Sequence, residues 1–176
     1  MAIVKKLKYS WDDLSRRDKT DILTAAMMRH IFINSHNLKI GMREVNVNIG
    51  KNKPNLRIDV LEINRKKNEL VGYEVKSCIQ DFRTDKKWDK YLTLINQLYF
   101  VFDKDTFEKH QTEILEKIGN NAGIYTYNPT SGWVSLIKGV KFTQLDEKQE
   151  IFYRTILFNY LFRHASRQMQ KREMEE

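Results

Sequence analysis

Residues 56–102, LRIDVLEINRKKNELVGYEVKSCIQDFRTDKKWDKYLTLINQLYFVF, decide how the chain reads. The runs 56–63 and 70–76 are apolar on both faces, the pattern of central strands covered by helices. The link Arg65-Lys66-Lys67-Asn68-Glu69 suits a tight turn, so the two runs should pair as a hairpin. A helix is expected over 85–97, with Asp81 or Thr84 at its cap, and a strand over Leu98–Phe102. The order is strand, turn, strand, helix, strand.

Three charged residues interrupt the apolar runs. Asp59 lies inside IDVLEI, and Glu74 and Lys76 lie inside LVGYEVK. Residues two apart on a strand share a face, so Glu74 and Lys76 emerge side by side. The hairpin should carry Asp59 close to Glu74, whereas Glu62 points to the opposite face and makes a poor co-ligand. Two carboxylates and an ammonium then converge at one sheet end. Mg2+ is a hard cation that keeps several waters, so one or two carboxylates plus a substrate phosphate can hold it. Such a metal activates water and polarises a phosphoryl oxygen, and a neighbouring lysine offsets developing charge. The plainer alternative is a structural ion network. Charged residues are rarely buried unless paired or bound to metal, so both readings fit the burial these runs imply.

Asp59 followed by Glu74-Val75-Lys76 resembles the signature of the PD-(D/E)XK nuclease superfamily, although Ile58 stands where that superfamily often has proline. The continuation Asp81-Phe82-Arg83, Asp85, Lys87-Trp88, Tyr91 and Gln97-Leu98-Tyr99-Phe100 is similar to the MmcB-like DNA repair proteins. The resemblance implies a restriction-endonuclease-like core in which Asp59 and Glu74 hold Mg2+ or Mn2+ with the Val75 carbonyl. Lys76 would position the attacking water. Relatives of the superfamily often add an acid from the first helix, which makes Asp21 the candidate here and Asp18 the second. Arg83 belongs to the family-like motif, and Gln97 opens the following strand, a place where relatives sometimes set a polar side chain near the substrate. Both are expected to touch nucleic acid, as are Lys86 and Lys87 near the start of the expected helix, with Lys90 beside them.

The composition is compatible with this. The 176 residues suit one domain with a core, at 41% hydrophobic and 31% charged. A net charge of +8 is consistent with a polyanionic partner. The single cysteine, Cys78, excludes an internal disulfide and reads as a small packed residue rather than a nucleophile. The four histidines show no zinc-like spacing. No apolar run is long enough to span a membrane and the N-terminus does not read as a signal peptide, so a cytoplasmic protein is expected.

Outside the central stretch, residues 1–14 read as a loose basic lead-in. Ser15 with Asp18 forms a helix start, and the helix 16–36 is expected to turn Asp21, Ala25, Met28 and Phe32 inward. A strand is expected at 43–49 and a turn at 50–55. An amphipathic helix 105–118 should end at Gly119. Two strands should flank the turn Pro129–Gly132, with Tyr125, Tyr127 and Trp133 packing on the sheet. The last helix is expected to lay Ile151, Thr155, Phe158, Phe162, Ala165 and Met169 on the sheet, with Arg163, Arg167 and Lys171 on another row.

The expectation is therefore an α/β fold with a mixed central sheet, one domain over 1–176 with its core at about 18–102. The function expected is a Mg2+-dependent deoxyribonuclease of DNA repair or recombination. The alternatives are an inactive DNA-binding accessory module and, more weakly, a basic subunit that meets an acidic protein. DNA is the expected partner, no membrane is, and a homodimer is left open.

Overall fold

The hairpin at the centre forms as the apolar runs require. In the computed structural model, which describes residues 10–35, 38–47, 56–144 and 146–173, β2 (Leu56–Asn64) pairs antiparallel with β3 (Glu69–Lys76). Asn68 takes a φ of 54° in the turn between them, a left-handed conformation that Asn tolerates better than most residues. All of β3 is buried but its first residue, as expected of a strand covered on both faces.

The sheet grows outward from this pair. β1 (Lys39–Val47) adds antiparallel to β2. β4 (Gln97–Asp103) and β5 (Gly123–Asn128) continue from β3 in parallel. β6 (Trp133–Lys138) closes the far edge antiparallel to β5. The order β1-β2-β3-β4-β5-β6 makes a six-stranded mixed sheet packed against helices, as expected. The strand positions expected at 48 and 49, the turn at 50–55 and residues 1–9 of the lead-in lie outside the described residues.

Each face of the sheet has its own cover. Helix α1 (Arg16–Ile33) starts as predicted, with the Ser15 side chain accepting the Asp18 N–H. It packs Leu23, Met27 and Ile31 against Val60, Val71, Tyr73, Tyr99 and Val101. The inward row is therefore 23-27-31; of the expected row, Met28 packs partly against this core, but Asp21, Ala25 and Phe32 are exposed. A row containing an aspartate cannot displace a neighbouring row that is wholly apolar. Ahead of α1, residues 11–13 form a 3-10 turn instead of loose chain, and the Trp11 ring lies 5.6 Å from that of Tyr127.

Strand alternation sends Phe100 and Phe102 to the other face. There they meet Phe82 edge-on at 5.1 and 5.5 Å, with Trp88 against Phe100 at 5.6 Å. Each such fully buried ring contributes roughly 1.5–3 kcal/mol. Phe82 belongs to α2 (Ile79–Thr84), a short helix that ends just where the longer one was expected to begin. In place of the helix 85–97, Asp85 is extended and residues 88–93 form a 3-10 segment. Its buried residues Trp88 and Tyr91, with Leu94 just after it, recur every third position, the period of that tighter helix. Gly72 lets this segment come close: a Cβ there would stand 2.6 Å from Ile95 Cδ1.

The expected helix 105–118 is two helices, α3 (Lys104–Lys109) and α4 (Gln111–Ile118). His110 breaks it at φ −122°, its N–H closing α3 on Phe107 O and its carbonyl opening α4 to Ile114. Trp133 is about half exposed and lies under the Arg29 guanidinium, whereas Tyr127 is buried as expected.

The chain divides into two compact units, Met1–Thr143 and Gln144–Glu176. The second carries α5 (Glu147–Glu173). The expected inward stripe is overturned there too: Ile151, Thr155, Phe158 and Phe162 are exposed, and Tyr153 and Ile156 are buried. The side chains of Ala165, Arg167, Met169 and Lys171 lie outside those described. Among the described residues no helix is long and apolar enough to cross a membrane.

Candidate active site

The site forms where β2 and β3 part. Their last rung is Val60 against Tyr73, so Asp59 and Glu74 would face each other one step further on. There the Asp59 Oδ2 accepts the Val75 N–H at 2.9 Å, a side chain taking the place of a ladder carbonyl. Glu74 and Lys76 share a face as strand geometry dictates, with Lys76 Nζ 3.4 Å from Glu74 Oε2. The same ammonium donates to Asp85 Oδ2 at 2.5 Å, and Asp85 Oδ1 accepts the Lys87 N–H at 2.8 Å. The Phe100 ring lies 5.7 Å from Nζ. Tyr91 donates its hydroxyl to the Arg57 carbonyl at 2.9 Å, tying the 3-10 segment to β2.

Burial sets the electrostatics. Glu74 and Lys76 side chains are 6% and 8% exposed. Burial, then the nearby Asp59 charge, pushes the Glu74 carboxyl up to about 8, although Lys76 opposes this. Burial likewise raises Asp59, against the pull of the Val75 N–H and Lys76. For Lys76, burial alone would lower the ammonium, but Glu74 and Asp85 outweigh it and leave it above the ordinary lysine value. Asp85 is the carboxylate that stays low: burial would raise it, and the hydrogen bonds from Lys76 and the Lys87 N–H prevail. Burial also pushes the Tyr91 hydroxyl up, helped by the Glu74 charge.

Within the site one buried oxygen lacks a partner; among the described residues Asp103 Oδ2, at the end of β4, is the other such atom. Glu74 Oε1 is buried and accepts no hydrogen bond, beside a second carboxylate whose own pKa is raised. A buried, unsatisfied carboxylate oxygen costs free energy that a cation would relieve. The oxygen donors of Asp59 and Glu74 suit a hard divalent ion such as Mg2+ or Mn2+. Among the described residues no group of three or more His, Cys, Asp and Glu is arranged to hold a metal. A cation here would rely on two carboxylates, with water and phosphate completing the shell.

The structure brings Asp59, Glu74, Val75 and Lys76 together and leaves other candidates apart. Asp21 is exposed and lines a shallow cleft with Asp13, Leu14, Asp18 and Ile22. Gln97 pairs with Val71, whereas Lys76 pairs with Phe102 five residues on, so Gln97 sits at the opposite end of the sheet, roughly 16 Å along the strand. It donates to the Val140 carbonyl instead. Arg83 is exposed but engaged in a two-pronged pair with Glu113, both bonds 2.7 Å. Lys86 and Lys87 are exposed and flank Asp85 on one side. Cys78 is half-buried, with the Arg16 guanidinium 3.0 Å from its sulfur. Asp85 was missed as a site residue. Its signal was its place in the DFR–D–KW motif, but only the break after Thr84 turns it toward Lys76.

No curated protein matches the chain. Among solved structures, SPO1766, a protein of unknown function from Silicibacter pomeroyi, is similar with a TM-score of 0.61 and 20% identity. The match covers 90% of this chain and 91% of that one, and at such identity it shows the shared fold. The family model of the DNA repair protein MmcB-like group matches residues 16–116, which run from the start of α1 into α4 and contain Asp59, Glu74, Lys76 and Asp85. The chain belongs to the MmcB-like DNA repair protein family.

Proposed function

We propose that this family member is a metal-dependent nuclease that hydrolyses DNA phosphodiester bonds during repair or recombination. The observation that carries the reading is the unpartnered, buried Glu74 Oε1 beside Asp59, with the Lys76 ammonium at 3.4 Å from the same carboxylate. Asp59 and Glu74 would hold Mg2+ or Mn2+, with the Val75 carbonyl as a further donor. Such an ion polarises the phosphoryl group and lowers the pKa of bound water. Lys76, fixed on the wall of the site, orients the attacking water by hydrogen bonding and offsets negative charge growing on the phosphoryl oxygens. The Asp59 bond to the Val75 N–H fixes one carboxylate oxygen and leaves the other free to face the ion. Lys86 and Lys87, exposed beside Asp85, would meet the DNA backbone.

A second reading has one observation in its favour. Lys76 is already closed between Glu74 and Asp85, as in a settled ion network, which suits a DNA-binding accessory module without chemistry. The deciding experiment is cleavage of labelled single strand, duplex, flap and junction DNA with Mg2+ and Mn2+, alongside Asp59→Ala and Lys76→Ala. The nuclease reading expects the parent alone to cut. Binding without cutting, unchanged in both variants, would replace it with the accessory module.

A further inference from the structure

Asp85 can hold Lys76 only because the chain leaves α2 and turns back over β3, and something must hold that turn. The last carbonyls of any helix lack intrahelical partners, and at the end of α2 the chain itself closes Phe82 O with the Asp85 N–H. Lys117 from α4 reaches across and donates to three carbonyls there: Phe82 O at 2.5 Å, Arg83 O at 3.1 Å and Asp85 O at 3.3 Å. Its ammonium also lies 4.5 Å from the centre of the Phe82 ring. One helical turn earlier on α4, Glu113 takes the Arg83 guanidinium. The α4 face thus grips both side chain and backbone of the segment that presents Asp85. Lys117 is itself exposed, so it fills no core volume that would explain its placement.

We propose that Lys117 is a positioning residue of the site: by binding the carbonyls of residues 82, 83 and 85 it fixes the turn through which Asp85 holds the Lys76 ammonium. The inference rests on the nuclease reading for its consequence on rate, though not for its consequence on Lys76. Lys117 touches neither metal nor phosphate in this role. It acts through Asp85, and Asp85 acts through Lys76. A displacement of about an ångström in a group that orients the nucleophile is enough to slow chemistry strongly.

The test uses the full chain and the variants Lys117→Met, Lys117→Arg, Asp85→Asn and the double variant Lys117→Met/Asp85→Asn. Two signals are read. The first is the 15N–1H resonance of the Lys76 ammonium, visible in the parent because a buried, hydrogen-bonded ammonium exchanges slowly with water, and absent in Asp85→Asn. The second is single-turnover DNA cleavage at saturating Mg2+, measured with the DNA dissociation constant and its salt dependence. In Lys117→Met the Lys76 resonance should broaden or vanish. Cleavage should slow roughly tenfold to a hundredfold, with DNA affinity and salt slope unchanged. Lys117→Arg should restore most of both, because guanidinium donors can reach the same carbonyls. The double variant should be no slower than Asp85→Asn alone, since both changes act on one connection. A Lys117→Met protein that keeps the Lys76 resonance overturns the proposal. So does one whose slowing comes with a lower salt slope, which would make Lys117 a phosphate contact, or one whose effect adds in full to that of Asp85→Asn. If the parent does not cut but Lys117→Met still loses the Lys76 resonance, the positioning role stands and the nuclease reading falls.

Discussion

Two glutamates, one on each of two paired strands, are buried to the same degree and on opposite faces of the sheet. Glu62 is 3% exposed and Glu74 is 4% exposed. Glu62 is satisfied at both oxygens: Oε1 takes Lys39 at 2.9 Å and Oε2 takes the Tyr73 hydroxyl at 2.8 Å. Glu74 has only Lys76, at 3.4 Å on one oxygen, while the other oxygen is bare and Asp59 adds a like charge. Glu62 is what a structural ion network looks like. Glu74 departs from it by lacking a donor and by neighbouring another acid, the two features a divalent cation would resolve. The contrast separates stability from chemistry within one hairpin, and each prediction below tests one side of it.

The largest effect should fall on activity. Asp59→Ala and Lys76→Ala should each lower cleavage by a factor on the order of 1,000 or more, in the range seen when a group acting only in the transition state is removed. Glu62→Gln should change the rate by less than about threefold in protein that remains folded. Steady-state cleavage of a single duplex substrate by all three variants measures this. A Glu62→Gln protein as slow as Lys76→Ala would erase the distinction between the two faces.

Stability should show the reverse order. Glu62→Ala leaves Lys39 and the buried Tyr73 hydroxyl without their acceptor, and should cost about 2–4 kcal/mol in urea unfolding. Glu74→Gln removes a charge that the metal-free fold accommodates poorly. At pH 8 and above, without metal, it should be neutral or stabilising by on the order of 1–3 kcal/mol. A Glu74→Gln protein as unstable as Glu62→Ala would mean that Glu74 is held as well as Glu62.

The pH dependence follows from the same carboxyl. Its pKa is about 8 in the folded protein against an ordinary 4.5, so folded chains keep a proton that unfolded chains release. That contribution is fully present below about pH 4.5 and is lost as pH rises through about 8. Metal-free protein should therefore weaken over this window, and Glu74→Gln should flatten the profile. Mg2+ competes with the same proton, so its binding should tighten over the window and release protons, both measurable by calorimetry in buffers of different ionisation enthalpy. Metal affinity independent of pH would place the cation elsewhere.

Much of this hairpin was legible in the sequence, because each of its signals is local. Two apolar runs joined by Arg65–Asn68 leave little choice but a buried antiparallel pair, and period two then places Glu74 beside Lys76. The misreadings arose where a residue's place depends on a distant partner. Asp85 is extended just past α2, and its side chain meets Lys76, nine residues back on another element. Without that knowledge, a helix over 85–97 was the natural continuation. On α1 the rows 21-25-28-32 and 23-27-31 both have helical spacing, and only the sheet's apolar face decides between them. Gln97 shows the limit of reading a strand as a line: its position at the opening of β4 was clear, but the parallel pairing with β3 puts that end away from Lys76.

The smallest effect concerns the four residues expected to touch nucleic acid, Arg83, Lys86, Lys87 and Gln97, which the structure divides. Arg83 is charged but engaged, with both prongs on Glu113, and Gln97 is turned to Val140. Lys86 and Lys87 are exposed on the segment next to Asp85. A cation that meets a phosphate releases a counterion and contributes about 0.9 to the slope of log affinity against log salt on duplex DNA. Lys86→Gln and Lys87→Gln should each lower that slope by about this amount. Arg83→Gln and Gln97→Ala should leave it unchanged. Arg83→Gln should also alter thermal stability only slightly, because water and salt screen an exposed ion pair. Slopes from binding titrations between 50 and 200 mM salt decide the matter. A drop for Arg83 with none for the two lysines would mean that DNA displaces Glu113 and approaches the site over α2 instead of past Lys86 and Lys87.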